Sequence, residues 1–448
     1  MADSSPTRFV DAPGTPLLGS LLPISRNALA HFTALLTQHG DRVRLRLPGR
    51  NVLLLAHPED LEQVLVRDRE AYGRSAELRK LRPIFGDGLL SSEGELWRRQ
   101  RSLLQPSFQH DALLQYAALM LRTLQEHIDS WQPVQHRDLH ADMMRYTREV
   151  ICAVLFGERF LTEHTGVAEA VTTVFTGLRS ELLYLPLWRR LPLRRSRAWN
   201  QAVALLNRSV AQQVAERRSS GHDHPDLLGA LLRARGPAGE AMSDAQIHDE
   251  ILTFFLAGHE TAALTLTWTT ALLAQHPEAQ ERIREEVTAL TGGTRPLSPA
   301  DYPRLRWSAA VIKESLRLYP PVWSMGREAT RQTVLGGEPI APGTDVWLCI
   351  HKLHRDPRWF AQPEAFLPER WIDQPAPRPY TYVPFGIGPR VCIGQHFATM
   401  ETVLGIASML SRFTLHPVSP LPAEPSAWIT LRPRRPILLE VRAVPRPG

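Results

Sequence analysis

Phe385-Gly386-Ile387-Gly388-Pro389-Arg390-Val391-Cys392-Ile393-Gly394 presents one cysteine on a glycine-rich loop that leads straight into a helical pattern. Glycines at 386, 388 and 394 free the backbone for positive φ and leave no Cβ between the loop and a flat ligand. Residues 395–410 are predicted to be a helix, which sets Cys392 near free N–H groups and the positive end of a helix dipole. Both favour the thiolate, and a thiolate presented this way is a ligand for iron. Arg390, two residues earlier, offers a guanidinium fork to the anionic edge of such a cofactor. The ordinary alternative is a structural cysteine beside a turn. Six fixed positions at residue frequencies of roughly 5–7% coincide by chance in about one chain in 10⁵ of this length, so the loop is read as a site.

Working outward, the chain has 448 residues, 43% hydrophobic and 22% charged, with no linker, repeat or low-complexity block among its scattered 37 prolines. One domain over residues 1–448 is expected, with 1–39 as an N-terminal extension. Cys152, Cys349 and Cys392 cannot form a disulfide framework, which fits a reducing compartment. No apolar run near the ~20 residues of a membrane span follows the N-terminus, so the expected location is cytoplasmic. The net charge is only +6, and arginines are interspersed with acids. Lysine stands only at 80, 313 and 352. This pattern reads as a solvated arginine-rich surface and argues against nucleic-acid binding.

Alternation over residues 42–56, broken at Pro48-Gly49, predicts a hairpin. Helical spacing recurs at 110–130, 140–157, 200–217, 243–275 and 305–318. Residues 428–431 and 437–441 are read as a last short hairpin. The class is mainly α with small peripheral β-sheets. Stretch 243–275 opens with Ser243 and Gln246 at capping-box spacing and runs without proline. Within it lies Ala257-Gly258-His259-Glu260-Thr261. Small residues at 257 and 258 take bulk off one face, and Thr261 follows on that face to put a hydroxyl on the wall of a pocket. A hydroxyl beside a carboxylate supplies hydrogen bonds and protons. The alternative is a threonine-rich core helix, since Thr265, Thr267, Thr269 and Thr270 follow. His259 is expected on the surface or in an ion pair. Glu314 and Arg317 are one helical turn apart and can pair, while Trp97 and Arg101 share a helix face through i,i+4 spacing.

Taken in order, these motifs resemble the haem-thiolate monooxygenases, the cytochrome P-450 family, across roughly residues 40–445. The resemblance implies the cytochrome P-450 fold with non-covalent haem b and Cys392 as the iron ligand. Phe385, Arg390 and Gly394 would flank it, and Trp97, Arg101 and Arg327 would meet the propionates. Ala257 and Gly258 would line the oxygen side, Glu260 and Thr261 would deliver protons, and Glu314, Arg317 and Arg370 would lock the scaffold. His354-Arg355-Asp356-Pro357 matches a family segment that shapes the backbone.

The implied activity is hydroxylation of a C–H bond by O2, with electrons from a ferredoxin and ferredoxin reductase, or a flavodoxin. A peroxygenase and a haem-thiolate gas sensor are the alternatives. Arg98 and Arg99 are expected to attract an acidic donor. The lid segment 182–199 mixes Leu187, Trp188, Leu191 and Leu193 with Arg189, Arg190, Arg194 and Arg195, as a peripheral membrane contact does. With Ile84, Phe85, Phe254, Val322 and Trp323 near the expected pocket, the substrate is read as lipophilic: a carotenoid, another terpenoid or a fatty acid. A monomer is expected.

Overall fold

In a computed structural model of the chain, Arg42–Leu47 and Arg50–Leu55 pair antiparallel, from Arg42 opposite Leu55 to Leu47 opposite Arg50, with a two-residue turn at Pro48-Gly49. The structure describes residues 8–157, 160–164, 166–183, 194–222, 224–236, 239–373, 376–418 and 420–444. Contacts divide the chain into two compact units. The first comprises Met1–Arg79, Lys313–Cys392 and Glu424–Arg434, the second Lys80–Ile312, Ile393–Ala423 and Arg435–Gly448.

The first unit is built on a six-stranded sheet in the order Val10–Asp11, Arg42–Leu47, Arg50–Leu55, Asp345–Leu348, Met325–Ala329, Tyr72–Arg74. Period-two alternation lets it bury both faces. Leu53, Leu55, Val346 and Leu348 go to one core. Val43, Leu45, Val52 and Leu54 go to another, where they meet Ala28, Leu29, Phe32, Leu35 and Leu36 of the helix Leu21–His39. The expected C-terminal hairpin is not formed. Pro425–Ala427 pairs instead with Leu431–Pro433. In the second unit, Leu438–Ala443 lies between Phe413–Pro417 and Val134–Asp138.

The second unit is helical, as the 3.6-residue spacing predicts. His110–Asp129, Leu139–Phe156 and Gln395–Leu410 start and stop within a few residues of the expected bounds, as does Arg306–Leu318, whose residues from Lys313 on belong to the first unit. The axis of the second unit is Asp244–Ala274, 31 residues that begin with the Ser243–Gln246 capping box. At 1.5 Å per residue this helix is about 46 Å long. Every residue from Glu250 to Ala274 is buried except Ala257, Gly258 and Thr261.

Near its start, the long helix holds a loop by two carboxylates. Asp249 accepts the Asp87 N–H at 2.8 Å and Glu250 the Leu89 N–H at 3.0 Å. Between them, a Cβ on Gly88 would stand 2.2 Å from Thr253 Oγ1, so only glycine lets the loop lie this close. Glu250 is fully buried, and its Oε1 has no hydrogen-bond partner among the described residues. Burial pushes this carboxyl up to about 8, with the Leu89 N–H opposing the rise and the Asp249 charge adding to it.

The folded chain therefore holds a proton that the unfolded chain releases near the usual 4.5. That contribution to stability is whole below the unfolded value and is lost as pH rises through about 8. Glu250→Gln keeps an acceptor for Leu89 and removes the titration. The melting temperature of the wild type minus that of the variant should fall steadily between about pH 5 and pH 9. A difference independent of pH contradicts the assignment.

Candidate functional site

The helix Arg306–Leu318 carries Glu314 and Arg317 one turn apart, and in the first unit both side chains are fully buried. A buried carboxylate stands only if its lone pairs are filled, and here they are. Arg317 Nε and Nη2 donate to Oε2 and Oε1 at 2.9 and 2.8 Å. Arg370 Nε reaches Oε1 at 3.0 Å, the Leu367 N–H reaches Oε1 at 3.0 Å, and Trp371 Nε1 reaches Oε2 at 2.8 Å. The remaining Arg317 hydrogens go to the carbonyls of His354, Pro363 and Ala365 at 2.9, 2.6 and 3.0 Å. The structure thus brings together the triad read from the sequence. It adds Trp371, whose adjacency to Arg370 was the available signal.

A chain of contacts runs from this cluster to the cysteine loop within the same unit. The Trp371 ring lies 4.4 Å from that of Tyr382, whose hydroxyl donates to Lys313 O at 3.1 Å. His354 stacks on Tyr382, and its Nε2 accepts the Val383 N–H at 2.9 Å. Burial, then the charges of Arg317 and Arg355, holds His354 down to about 3. The ring is neutral, so Nε2 has a lone pair to give. The Gly386 N–H then bonds to Val383 O at 3.0 Å, and the Cys392 N–H to Phe385 O at 2.9 Å. Gly386 and Gly388 have φ of 74° and 73°. A Cβ on Gly388 would fall 2.4 Å from Leu65 O.

Cys152 and Cys349 are buried, and Cys392 is exposed. Burial pushes the Cys349 thiol up to about 12 and raises Cys152 as well, so neither is a ready thiolate. The chain offers one accessible sulfur on a loop fixed by its own backbone. With half-buried Phe385, Ile387 and Val391 around it, this donor set fits a thiolate-ligated haem.

In the second unit, the long helix beyond Glu250 is open only where the Ala257–Thr261 motif lies. Ala257 is exposed and Thr261 half-buried, with Thr261 Oγ1 donating to Ala257 O at 2.9 Å. At half-buried Gly258, a Cβ would meet Ile151 Cδ1 at 3.1 Å, so its smallness admits the helix Leu139–Phe156. His259 is not on the surface as expected. It is buried, its Nδ1 lies 3.1 Å from Phe255 O, and its carbonyl accepts from Thr147 Oγ1 at 2.9 Å. Glu260 is buried as well. The threonines that follow bond back to carbonyls three or four residues earlier, as in Thr265 to Thr261 O at 2.9 Å and Thr269 to Thr265 O at 2.7 Å.

Trp97 and Arg101 are half-buried on Gly94–Leu104. On the same helix Arg98 pairs with Glu95, while Arg99 lies 3.7 Å from Glu240 and donates to Ala241 O, so both charges have local partners. Ile84, Phe85 and Phe254 are buried, and Phe254 packs on Phe108 with ring centroids 5.3 Å apart. Arg327 sits on Met325–Ala329 and Arg390 in the turn Gly388–Arg390, both half-buried. Val322 is exposed. Trp323 lies in the core against Phe32 and donates to Trp428 O at 2.9 Å. Of the lid segment, residues 184–193 lie outside the described residues. Trp199, the last residue of that segment, is buried, with Nε1 donating to Val174 O at 3.2 Å. No helix among the described residues is long and apolar enough to cross a membrane.

Comparison with known proteins agrees with this geometry. The family model for cytochrome P450 matches residues 11–441. Cyclooctatin synthase of Streptomyces melanosporofaciens is 35% identical over 448 residues, covering 98% of this chain and 96% of that protein. Cyclooctat-9-en-7-ol 5-monooxygenase of the same organism is 36% identical over 416 residues, covering 91% and 89%. Pentalenene oxygenase of Streptomyces avermitilis is 31% identical over 429 residues, covering 95% of each. With one accessible cysteine on a glycine loop and a match along almost its whole length, the chain belongs to the cytochrome P450 family of haem b monooxygenases.

Proposed function

We propose that the protein hydroxylates a C–H bond of a cyclic terpenoid, with Cys392 Sγ as the iron ligand. The observation that carries the ligand assignment is the exposure of Cys392 alone among the three cysteines, on a loop tied to the Glu314 cluster. Bound haem supplies the oxygen-activating chemistry that a protein side chain lacks. Arg390 and Arg327, like Trp97 and Arg101, are assigned to the propionates, for which guanidinium and indole donors are suited. Phe385 and Gly394 are assigned to the wall of the haem site.

Thr261 Oγ1 is assigned to hold and pass a proton. It gives its own hydrogen to Ala257 O and so presents lone pairs where the helix is open. Glu260 is the neighbouring acid that replenishes it. Electrons are assigned to a ferredoxin with its reductase, a flavodoxin being the second choice.

The substrate class rests on the relatives. Two of them are named for acting on cyclooctat-9-en-7-ol and pentalenene, both cyclic terpenoids. Buried Phe85, Ile84 and Phe254 supply apolar surface of the kind such a substrate needs. The test is a titration of the ferric enzyme with cyclic terpenoids and their alcohols, carotenoids, fatty acids and small polar compounds. Cyclic terpenoids should shift the haem from low to high spin. A shift given only by small polar compounds overturns the substrate reading and leaves the monooxygenase assignment intact.

Two substitutions test the residues. Cys392→Ala should abolish the long-wavelength Soret band of the reduced CO complex, while Cys152→Ala and Cys349→Ala keep it. Retention of the band by the Cys392 variant would falsify the ligand assignment. Thr261→Ala should leave haem and substrate titrations unchanged while product formed per NAD(P)H falls by about an order of magnitude or more, the balance appearing as hydrogen peroxide. Unaltered coupling removes Thr261 from the proton path.

A further inference from the structure

Four leucines of one short segment face solvent: Leu17 is 96% exposed, Leu18 38%, Leu21 39% and Leu22 44%. The other large apolar side chains that are exposed among the described residues, Val10 apart, stand singly or, in the case of Val418 and Leu438, as a pair joined by a backbone hydrogen bond. Scattered exposure is ordinary, whereas contiguous exposure marks a contact surface. The segment is not a loose end. Thr15 and Gly19 exchange backbone hydrogen bonds at 3.2 and 2.8 Å, closing a tight turn with Leu17 and Leu18 at its tip. The Ser20 N–H and Ala12 N–H bond to Arg46 O and Arg44 O of the sheet at 3.0 and 2.9 Å. A Cβ on Gly19 would fall 1.9 Å from Arg46 O, so glycine is what lets the turn lie on the strand.

Leu17 itself has φ of 68°, a left-handed conformation that leucine disfavours, held here by the closed turn. The helix that follows breaks at Asn27. Beyond the break, Ala28, Leu29, Phe32, Leu35 and Leu36 are buried in the core, whereas Leu21 and Leu22 before it point outward. The fold thus buries the second half of the helix and leaves Leu21 and Leu22 exposed on the first, with Ile24 beside them packed on the core.

The charges around the leucines select the partner. No acidic residue occurs between Asp11 and Asp41, and Asp11 is itself paired with Arg44. Arg26, one turn after Leu22 on the same helix face, is exposed, as is Arg46 beneath the turn. A leucine tip beside exposed arginines, with no acid of its own and the neighbouring Asp11 offset by Arg44, complements a surface that is apolar inside and negative at its rim. We propose that this patch docks the protein on an anionic lipid bilayer, with Leu17, Leu18, Leu21 and Leu22 entering the headgroup boundary and Arg26 and Arg46 meeting lipid phosphates. The contact is peripheral and independent of the substrate reading.

Co-sedimentation of the holoenzyme with vesicles tests it, using equimolar phosphatidylcholine and phosphatidylglycerol against phosphatidylcholine alone. The wild type should sediment with the mixed vesicles and more weakly with the neutral ones, and added salt should reduce the difference. Leu17→Ser/Leu21→Ser/Leu22→Ser should lower partitioning on the order of tenfold or more, with an unchanged haem spectrum. Arg26→Glu/Arg46→Glu should remove the preference for the anionic vesicles. A wild type that stays in the supernatant with mixed vesicles overturns the proposal, as does a leucine variant that sediments like the wild type. A concentration-dependent dimer lost in the leucine variant, without vesicle binding, would assign the patch to a second copy of the chain and equally overturn it.

Discussion

One buried carboxylate organises the first unit. Glu314 lies in the protein interior with no exposed side-chain surface, and an unpaired charge there would be untenable. It is stable because five donors from two stretches of chain converge on it: Arg317 twice from its own helix, and the Leu367 amide, Arg370 and Trp371 from residues 367–371. Removing one partner of such a cluster typically costs about 3–5 kcal/mol, because the charges left behind stay buried. The arrangement contributes less to stability than to uniqueness of geometry. The 365–371 stretch has one position in which every donor is used, and from Trp371 and His354 that constraint passes through Tyr382 and Val383 to the loop of Cys392.

The second unit solves a different problem. A helix buried along almost its whole length excludes water, yet it must admit small molecules at one point. Burial is interrupted at Ala257, Gly258 and Thr261 and nowhere else between Glu250 and Ala274. The interruption is local because the helix is gripped on both sides of it. Asp249 and Glu250 hold the 87–89 loop upstream, and Thr265, Thr267 and Thr269 satisfy their hydroxyls on their own helix downstream. Those back-bonds make a polar core of the threonines that follow, while Thr261, which bonds back to Ala257 O in the same way, is half-buried.

Elements with a strong period were legible in the sequence. The 42–55 hairpin, the capping box at Ser243 and the bounds of the 139–156 and 395–410 helices followed from alternation, caps and helical spacing. So did the Glu314–Arg317 pair. What was not legible depends on partners distant in sequence. The helix Leu21–His39 is disguised by Pro23 and a break at Asn27. The last strand pairs with residues 134–138, about three hundred positions away, rather than with its neighbour. For Trp323, apolar residues near a proline pair give no direction, and the fold supplies its contact with Phe32. For Gly258, the sequence holds no sign of Ile151, since a small residue admits a ligand or a neighbouring helix equally well.

The link between the Glu314 cluster and the proposed ligand Cys392 is open to a direct test. Glu314→Gln keeps the shape of the side chain but withdraws the charge that Arg317 and Arg370 share. The measurement is the reduced-CO spectrum of this variant, which reports thiolate ligation directly. If the cluster positions the cysteine loop, most of the haem should lose the long-wavelength Soret band under conditions where the wild type keeps it. A full thiolate band in the Glu314→Gln enzyme would show that the loop holds Cys392 without the cluster, and would contradict the account.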